Sequence, residues 1–220
     1  MVGSPLSSPL DVLANPAGGG LLLIVGPPGS GKSTLVKRYL AEGLAREEPC
    51  LAAVVDEPPH RFELELQGHV KVDLSEKLKE GLLHILDFFT WRGGVLVGDM
   101  RYKPVTTLDA VIAEAEATSP WRMAVDSITT LAFHFPADSV WRFLDTLRVK
   151  AALRGNSIAA TLEQGVHSKS FQESLRHIAD YTLELRVEER RVLWSEQVRR
   201  YVRLAVPRQA QVGKWIKLKS

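Results

Sequence analysis

Residues 21–25 read Leu-Leu-Leu-Ile-Val, and Gly26-Pro27-Pro28-Gly29-Ser30-Gly31-Lys32-Ser33 follows without a break. That segment fits G-x-x-x-x-G-K-[ST] at every fixed position. An apolar run this short, bounded by glycine and proline, suits a strand buried on both faces. After the turn, Leu35, Tyr39, Leu40 and Leu44 recur at helical spacing, which predicts a helix from Lys32 to about Arg46. Strand, glycine-rich turn and helix in this order leave few folds open. The glycines let backbone N–H groups turn inward as a nest for anionic oxygens, and the helix start adds free donors and partial positive charge. Gly26, Pro27, Pro28, Gly29, Ser30, Gly31, Lys32, Ser33 and Thr34 are therefore the candidate nucleotide-binding residues. Lys32 is expected to neutralise the β- and γ-phosphates, and the Ser33 hydroxyl to ligate Mg²⁺.

The rest of the chain predicts βα alternation and then a β-rich end. Residues 51–55 read as a second buried strand, stopped by Asp56-Glu57-Pro58-Pro59. Short strands are expected at 70–72 and 95–97, a weaker one at 123–125 ending at Asp126, and another at 157–162. Helices are expected over 74–89, from Leu78, Leu82, Ile85, Leu86 and Phe89, and over 107–117 behind a Thr107 cap. A further helix over 139–154 turns Phe143, Leu144, Leu147 and Leu153 inward and stops at Gly155, and a short one covers 171–178. Residues 181–187, 192–194 and 198–206 read as strands, the last two pairing antiparallel across a short link, with 215–218 as a terminal edge strand. Residues 1–19, rich in Ser, Pro and Gly, read as an N-terminal arm ahead of one domain over 20–220. The predicted class is α/β, a mostly parallel central sheet flanked by helices and extended by antiparallel C-terminal strands.

A length of 220 residues suits one such domain. The net charge of +2 does not point to nucleic acid, but residues 186–219 hold ten Lys and Arg against three Glu. That stretch is either a solvated face or a polyanion site. The lone Cys50 excludes an internal disulfide. The run 21–25 is too short to span a bilayer, and the N-terminus lacks a signal-peptide pattern, so the expected address is cytoplasmic with no membrane partner.

A phosphate loop needs an acid at a neighbouring strand tip to hold Mg²⁺. Asp126 fits, because it ends a predicted strand at the edge where open α/β folds bind ligands. Asp99 is the rival, with no comparable helix after it. The second strand delivers Asp56 and Glu57 to the same edge; Glu57 is the first choice to orient the attacking water and Asp56 the second. Thr161 and Glu163 close another strand, either as γ-phosphate sensors or as loop residues.

Taken together, these elements resemble the RecA-like P-loop ATPases, and within them the KaiC-like family that includes RadA paralogues. Pro9-Leu10-Asp11-Val12-Leu13 resembles that family's leader. Val55-Asp56-Glu57-Pro58-Pro59 resembles its acidic element, Val125-Asp126-Ser127-Ile128-Thr129-Thr130-Leu131 its metal-side signature, and Thr161-Leu162-Glu163 its Thr-x-Glu sensor. The resemblance implies a single-domain ATPase that uses ATP and Mg²⁺ in a regulatory or DNA-recombination role. It also implies a homo-oligomer, commonly a hexamer, in which basic residues of one subunit reach the next subunit's nucleotide. The family's Lys-x-Arg pair for this falls on Val206-Pro207-Arg208, so only Arg208 is kept. Weak, sequence-independent DNA binding by residues 164–170 and the basic region is a further expectation. Two other readings stay open, a nucleotide-gated assembly protein with little turnover and a P-loop phosphotransferase.

Overall fold

The computed structural model describes residues 7–14, 19–94, 99, 101–192, 195–206 and 213–218. A helical turn, α1 (Asp11–Ala14), seats Val12 and Leu13 in the core ahead of strand β1 (Gly20–Gly26). The phosphate-loop segment leads into helix α2 (Lys32–Leu44). Strand β2 (Cys50–Val54), helices α3 (Pro59–Gln67) and α4 (Leu74–Lys79), and strand β3 (Leu83–Asp87) follow. The chain continues through α5 (Phe89–Arg92), β4 (Lys103–Pro104), α6 (Leu108–Thr118), β5 (Arg122–Asp126), α7 (Ile128–His134) and α8 (Ala137–Arg154). It closes with β6 (Ser157–Glu163), α9 (Lys169–Ile178), β7 (Tyr181–Val192), β8 (Ser195–Val206) and β9 (Ile216–Lys217).

The strands form one sheet in the order β4-β3-β2-β5-β6-β1-β7-β8-β9. Pairing is parallel from β4 to β7 and antiparallel through β7, β8 and β9, as the α/β reading expects. Both faces of the parallel part are covered, which explains its unbroken apolar runs. Along β1, Leu21, Leu23 and Val25 join the core on one face with residues of α7, α8 and α9. Leu22 and Ile24 join the core on the other face with α2 and α3. Thr107 caps α6 and Gly155 ends α8 in the left-handed region, both as predicted.

Four expectations are corrected. Residues 74–89 are not one helix: α4 stops at Lys79, Gly81 takes a φ of +73°, and 83–87 form β3. Leu83 and Ile85 go to one face and Leu86 to the other, the period-two pattern of a strand. Residues 70–72 are not a strand but a link held by Gln67, whose Nε2 donates to Val72 O at 2.9 Å. Leu153 is 82% exposed, because the buried stripe of α8 runs through Val140, Phe143, Leu144, Leu147 and Ala151 and leaves 153 to the side. The antiparallel partner of β8 is β7, which runs unbroken from 181 to 192. The predicted strand at 95–97 and Trp194 lie outside the described residues. Among the described residues no helix is long and apolar enough to cross a membrane.

Candidate functional site

The sheet order sets β2, β5, β6 and β1 side by side, so their carboxyl ends share one edge. A cavity of about 740 Å³ opens there, within the range of small-ligand sites. Pro28, Gly29, Gly31, Lys32, Ser33 and Thr34 line it. Gly26, Pro27 and Ser30 shape the loop from behind. A Cβ on Gly26 would come within 2.7 Å of Ser30 Oγ and 2.9 Å of Leu185 Cβ, so the turn packs only around glycine. Gly31 has a φ of +96° and starts α2 with no side-chain cap, in contrast to α6, α7 and α9. The first donors of α2 therefore have no side-chain acceptor.

Lys32 folds back on its own loop, donating to Gly26 O at 3.1 Å and Pro27 O at 2.9 Å, with Glu163 at 3.7 Å. Burial lowers its pKa, opposed by the charges of Glu163, Asp126 and Asp56. Asp126 is buried, and burial raises its carboxyl above the usual range. The Thr161 hydroxyl opposes that shift by donating to Asp126 Oδ1 at 2.5 Å, and Asp56 adds to it. Glu163 N–H donates to Thr129 Oγ1 at 2.7 Å, which fixes the end of β6 against α7. Lys32, Ser33, Asp126, Thr161 and Glu163 are thus brought together.

The acid pair divides. Asp56 lines the cavity, whereas Glu57 turns away to Lys37, 2.7 Å from its Nζ, and to Arg61 at 3.4 Å. Asp99 is exposed, bound by Arg101 and not part of the lining. Arg208 lies outside the described residues. Within 164–170, His167 Nε2 lies 2.9 Å from Thr129 O and its ring packs on Phe133 and Phe171. Phe133 stands 66% exposed at the cavity mouth.

Sequence reasoning missed Arg38, Arg200 and Leu218, all of which line the cavity. Arg200 Nε donates to Gly29 O at 2.8 Å. Its signal was alternation: Arg200 shares a strand face with the buried Val202 and Leu204.

The residues suit a nucleotide with Mg²⁺. The Ser30 hydroxyl is buried without a partner, and Gly29 has open space where a Cβ would stand. A hydroxyl and a carboxylate, Ser33 and Asp126, are the oxygen donors Mg²⁺ takes beside phosphates. Among the described residues no group of three His, Cys, Asp or Glu side chains could hold a metal alone.

The profile of the KaiC ATPases matches residues 17–215. The chain belongs to the KaiC family of ATPases. A UPF0273 protein of Aeropyrum pernix is 28% identical over 176 residues, covering 77% of this chain and 70% of that protein. One of Pyrobaculum aerophilum is 30% identical over 139 residues, covering 60% of this chain and 49% of its own length. The chain thus spans about half of that second relative. The crystal structure of a KaiC-like protein from Pyrococcus horikoshii has a TM-score of 0.68 at 19% identity, covering 91% of this chain and 85% of that one, a likeness of fold. The family match takes in the phosphate loop, both acidic elements and the Thr161-Leu162-Glu163 segment.

Proposed function

We propose that the chain binds ATP with Mg²⁺ and hydrolyses it, acting in an assembly of its own copies with a regulatory or DNA-associated role. The observation that carries this reading is the convergence of Lys32, Ser33, Asp126 and Thr161 on one cavity at the uncapped start of α2. Lys32 exchanges its two loop carbonyls and Glu163 for phosphate oxygens. Ser33 and Asp126 would hold Mg²⁺, which supplies neutralisation of phosphate charge when bound. Thr161 keeps Asp126 oriented through its hydrogen bond. One carboxylate of the 56–57 pair orients the attacking water and accepts its proton. The water oxygen bonds to the γ-phosphorus as the bond to the bridging oxygen breaks, and ADP leaves. Glu57 is the sequence-based choice for that carboxylate; the cavity lining favours Asp56. Arg200 and Arg38 add positive charge along the wall.

The exposed Phe133 at the mouth supports a second copy closing the site, with Arg208 reaching across the interface. Weak nucleic-acid binding by 164–170 and the basic strands belongs to the same proposal, and a salt titration tests it, since counterion release demands affinity at low ionic strength. Phosphate release with and without Mg²⁺, beside light scattering with and without ATP–Mg²⁺, tests the whole. Magnesium-dependent turnover and a rise in mass are expected. Protein with no magnesium-dependent affinity for adenine nucleotides would sink the reading. Affinity without turnover, unchanged in Glu57→Gln, would favour the nucleotide-gated assembly.

A further inference from the structure

Lys37 lies one helical turn beyond Ser33 on α2, among the buried Val36, Leu40 and Ala41, and its side chain is 1% exposed. Lysine is almost never buried to this degree without partners. Its Nζ donates to Glu57 Oε1 at 2.7 Å, contacts Glu65, and sits 5.0 Å from the centre of the Phe62 ring. The bond from Lys37 is the main reason the Glu65 carboxyl lies below its usual range. An enclosed ion pair is seldom more stabilising than apolar packing of similar volume, so apolar residues in place of the whole Lys37–Glu57–Glu65 group would serve the core of α2 as well. What an apolar side chain cannot do is grip Glu57.

That grip bears on the neighbouring residue. Val55 N and Asp56 N donate to Asp126 O at 2.8 and 3.3 Å, which ties the strand end to β5. Glu57 is then fixed from below by Lys37 and from the side by Arg61. With both flanks held, Asp56 is left facing the phosphate cavity. We propose that Lys37 is a positioning residue, which by anchoring Glu57 outside the cavity holds the 55–57 turn so that Asp56 is presented to the attacking water. This rests on the hydrolytic reading above.

The test is a double-mutant cycle on steady-state phosphate release, with nucleotide affinity titrated in parallel, for wild type, Lys37→Met, Glu57→Gln and the double variant. Lys37→Met is expected to lower kcat on the order of 10- to 100-fold, as misplacement of a reacting group does. KM and nucleotide affinity should hold, because the loss falls on the reacting geometry. The double variant should be no worse than Lys37→Met alone, because both changes cut one link. Lys37→Arg should recover part of the rate. Should Lys37→Met fail to fold, Glu65→Gln loosens the same network from its 44% exposed end and should give a smaller drop in kcat. Wild-type kcat in Lys37→Met, a raised kcat, losses that multiply in the double variant, or a loss confined to KM would each overturn the proposal. So would wild-type kcat in both Glu65→Gln and Glu57→Gln. Wild-type protein with no turnover overturns the hydrolytic reading and this inference with it; normal wild-type turnover beside an unaffected Lys37→Met overturns only the role of Lys37.

Discussion

Replacing Lys32 with alanine separates what this side chain does for the free protein from what it does for a bound nucleotide. In the free protein it lies 3.7 Å from Glu163. At effective dielectric constants from ~20 to ~80 such a pair attracts by about 1 to 4.5 kcal/mol before desolvation. Desolvation opposes that, and it dominates: the Lys32 pKa is lowered in spite of three nearby acids. Desolvation offsets the ion pair together with the two bonds to loop carbonyls, and the free-protein stability of Lys32→Ala is expected within about 1 kcal/mol of wild type.

On the proposed function the balance changes with nucleotide, because Lys32 would then face phosphate. A ligand at 100 times its Kd stabilises the folded state by about 2.7 kcal/mol. For a domain of this size that is roughly 5 to 11 °C in Tm. Lys32 would exchange its bonds to Gly26 O and Pro27 O for bonds to anionic phosphate oxygens, and a net gain of about 1.5 kcal/mol for each is about 3 kcal/mol, or at least a hundredfold in Kd. At the same ATP concentration Lys32→Ala should then sit near its Kd and gain about 0.4 kcal/mol, roughly 1 to 2 °C. Differential scanning fluorimetry with and without ATP–Mg²⁺ reads both numbers. A full nucleotide shift retained by Lys32→Ala would refute the assignment, and so would a loss of several kcal/mol in its free form.

Other expectations follow from groups away from the phosphates. Burial would raise the Glu184 carboxyl, but Arg203 at 2.6 Å and Arg176 at 2.7 Å hold it below the usual range. A depressed carboxyl stabilises the fold above the ordinary carboxylate range and loses that as pH falls through the folded pKa. Glu184→Gln should therefore cost about 1 to 3 kcal/mol at pH 7 and much less in acid, read by urea titration at both; a difference independent of pH would contradict this. Burial pushes the Cys50 thiol up to about 12, so its alkylation at mildly alkaline pH should follow unfolding, and rapid labelling of native protein would contradict the burial. Leu153→Asp should leave stability within about 0.5 kcal/mol, whereas Leu147→Ala, in the core, should cost about 2 to 5 kcal/mol by denaturant unfolding.

What could be read from sequence followed how local the cause was. Strands covered on both faces betray themselves as apolar runs, so β1, β2 and β6 were legible. β3 was not, because Leu78, Leu82, Ile85 and Leu86 fit helical spacing as well as Leu83, Ile85 and Leu86 fit a strand, and a run this short does not decide between them. In the site, Lys32 and Ser33 open α2 and Asp126 and Thr161 stand at or near strand ends, and their neighbours in sequence give them away. Arg200 does not: its strand face is readable, but that this face meets Gly29 depends on β7 pairing with β1 and β8 with β7. The turning of Glu57 toward Lys37 likewise depends on α3 packing against α2, which no local pattern encodes.

The distribution of buried polar groups connects these observations. Among the described residues the buried polar and charged side chains are ten, and Ser30, Lys37, Asp126, Ser127, Thr129 and Thr161 cluster at the carboxyl edge around the phosphate loop. Arg122, at the opposite edge, is fully engaged, bonding Glu48 and the carbonyls of Leu13, Ala14 and Tyr39. At the cavity the balance is incomplete: Ser30 Oγ has no partner, and burial disfavours charge on both Asp126 and Lys32. An unpaired buried polar group is costly, so the Ser30 hydroxyl is better served by a ligand that bonds it than by the loop alone. A phosphate would relieve the ammonium of Lys32 and a cation the carboxylate of Asp126. On the proposed function, the groups whose charge burial disfavours in the free protein are the ones a nucleotide with Mg²⁺ would satisfy.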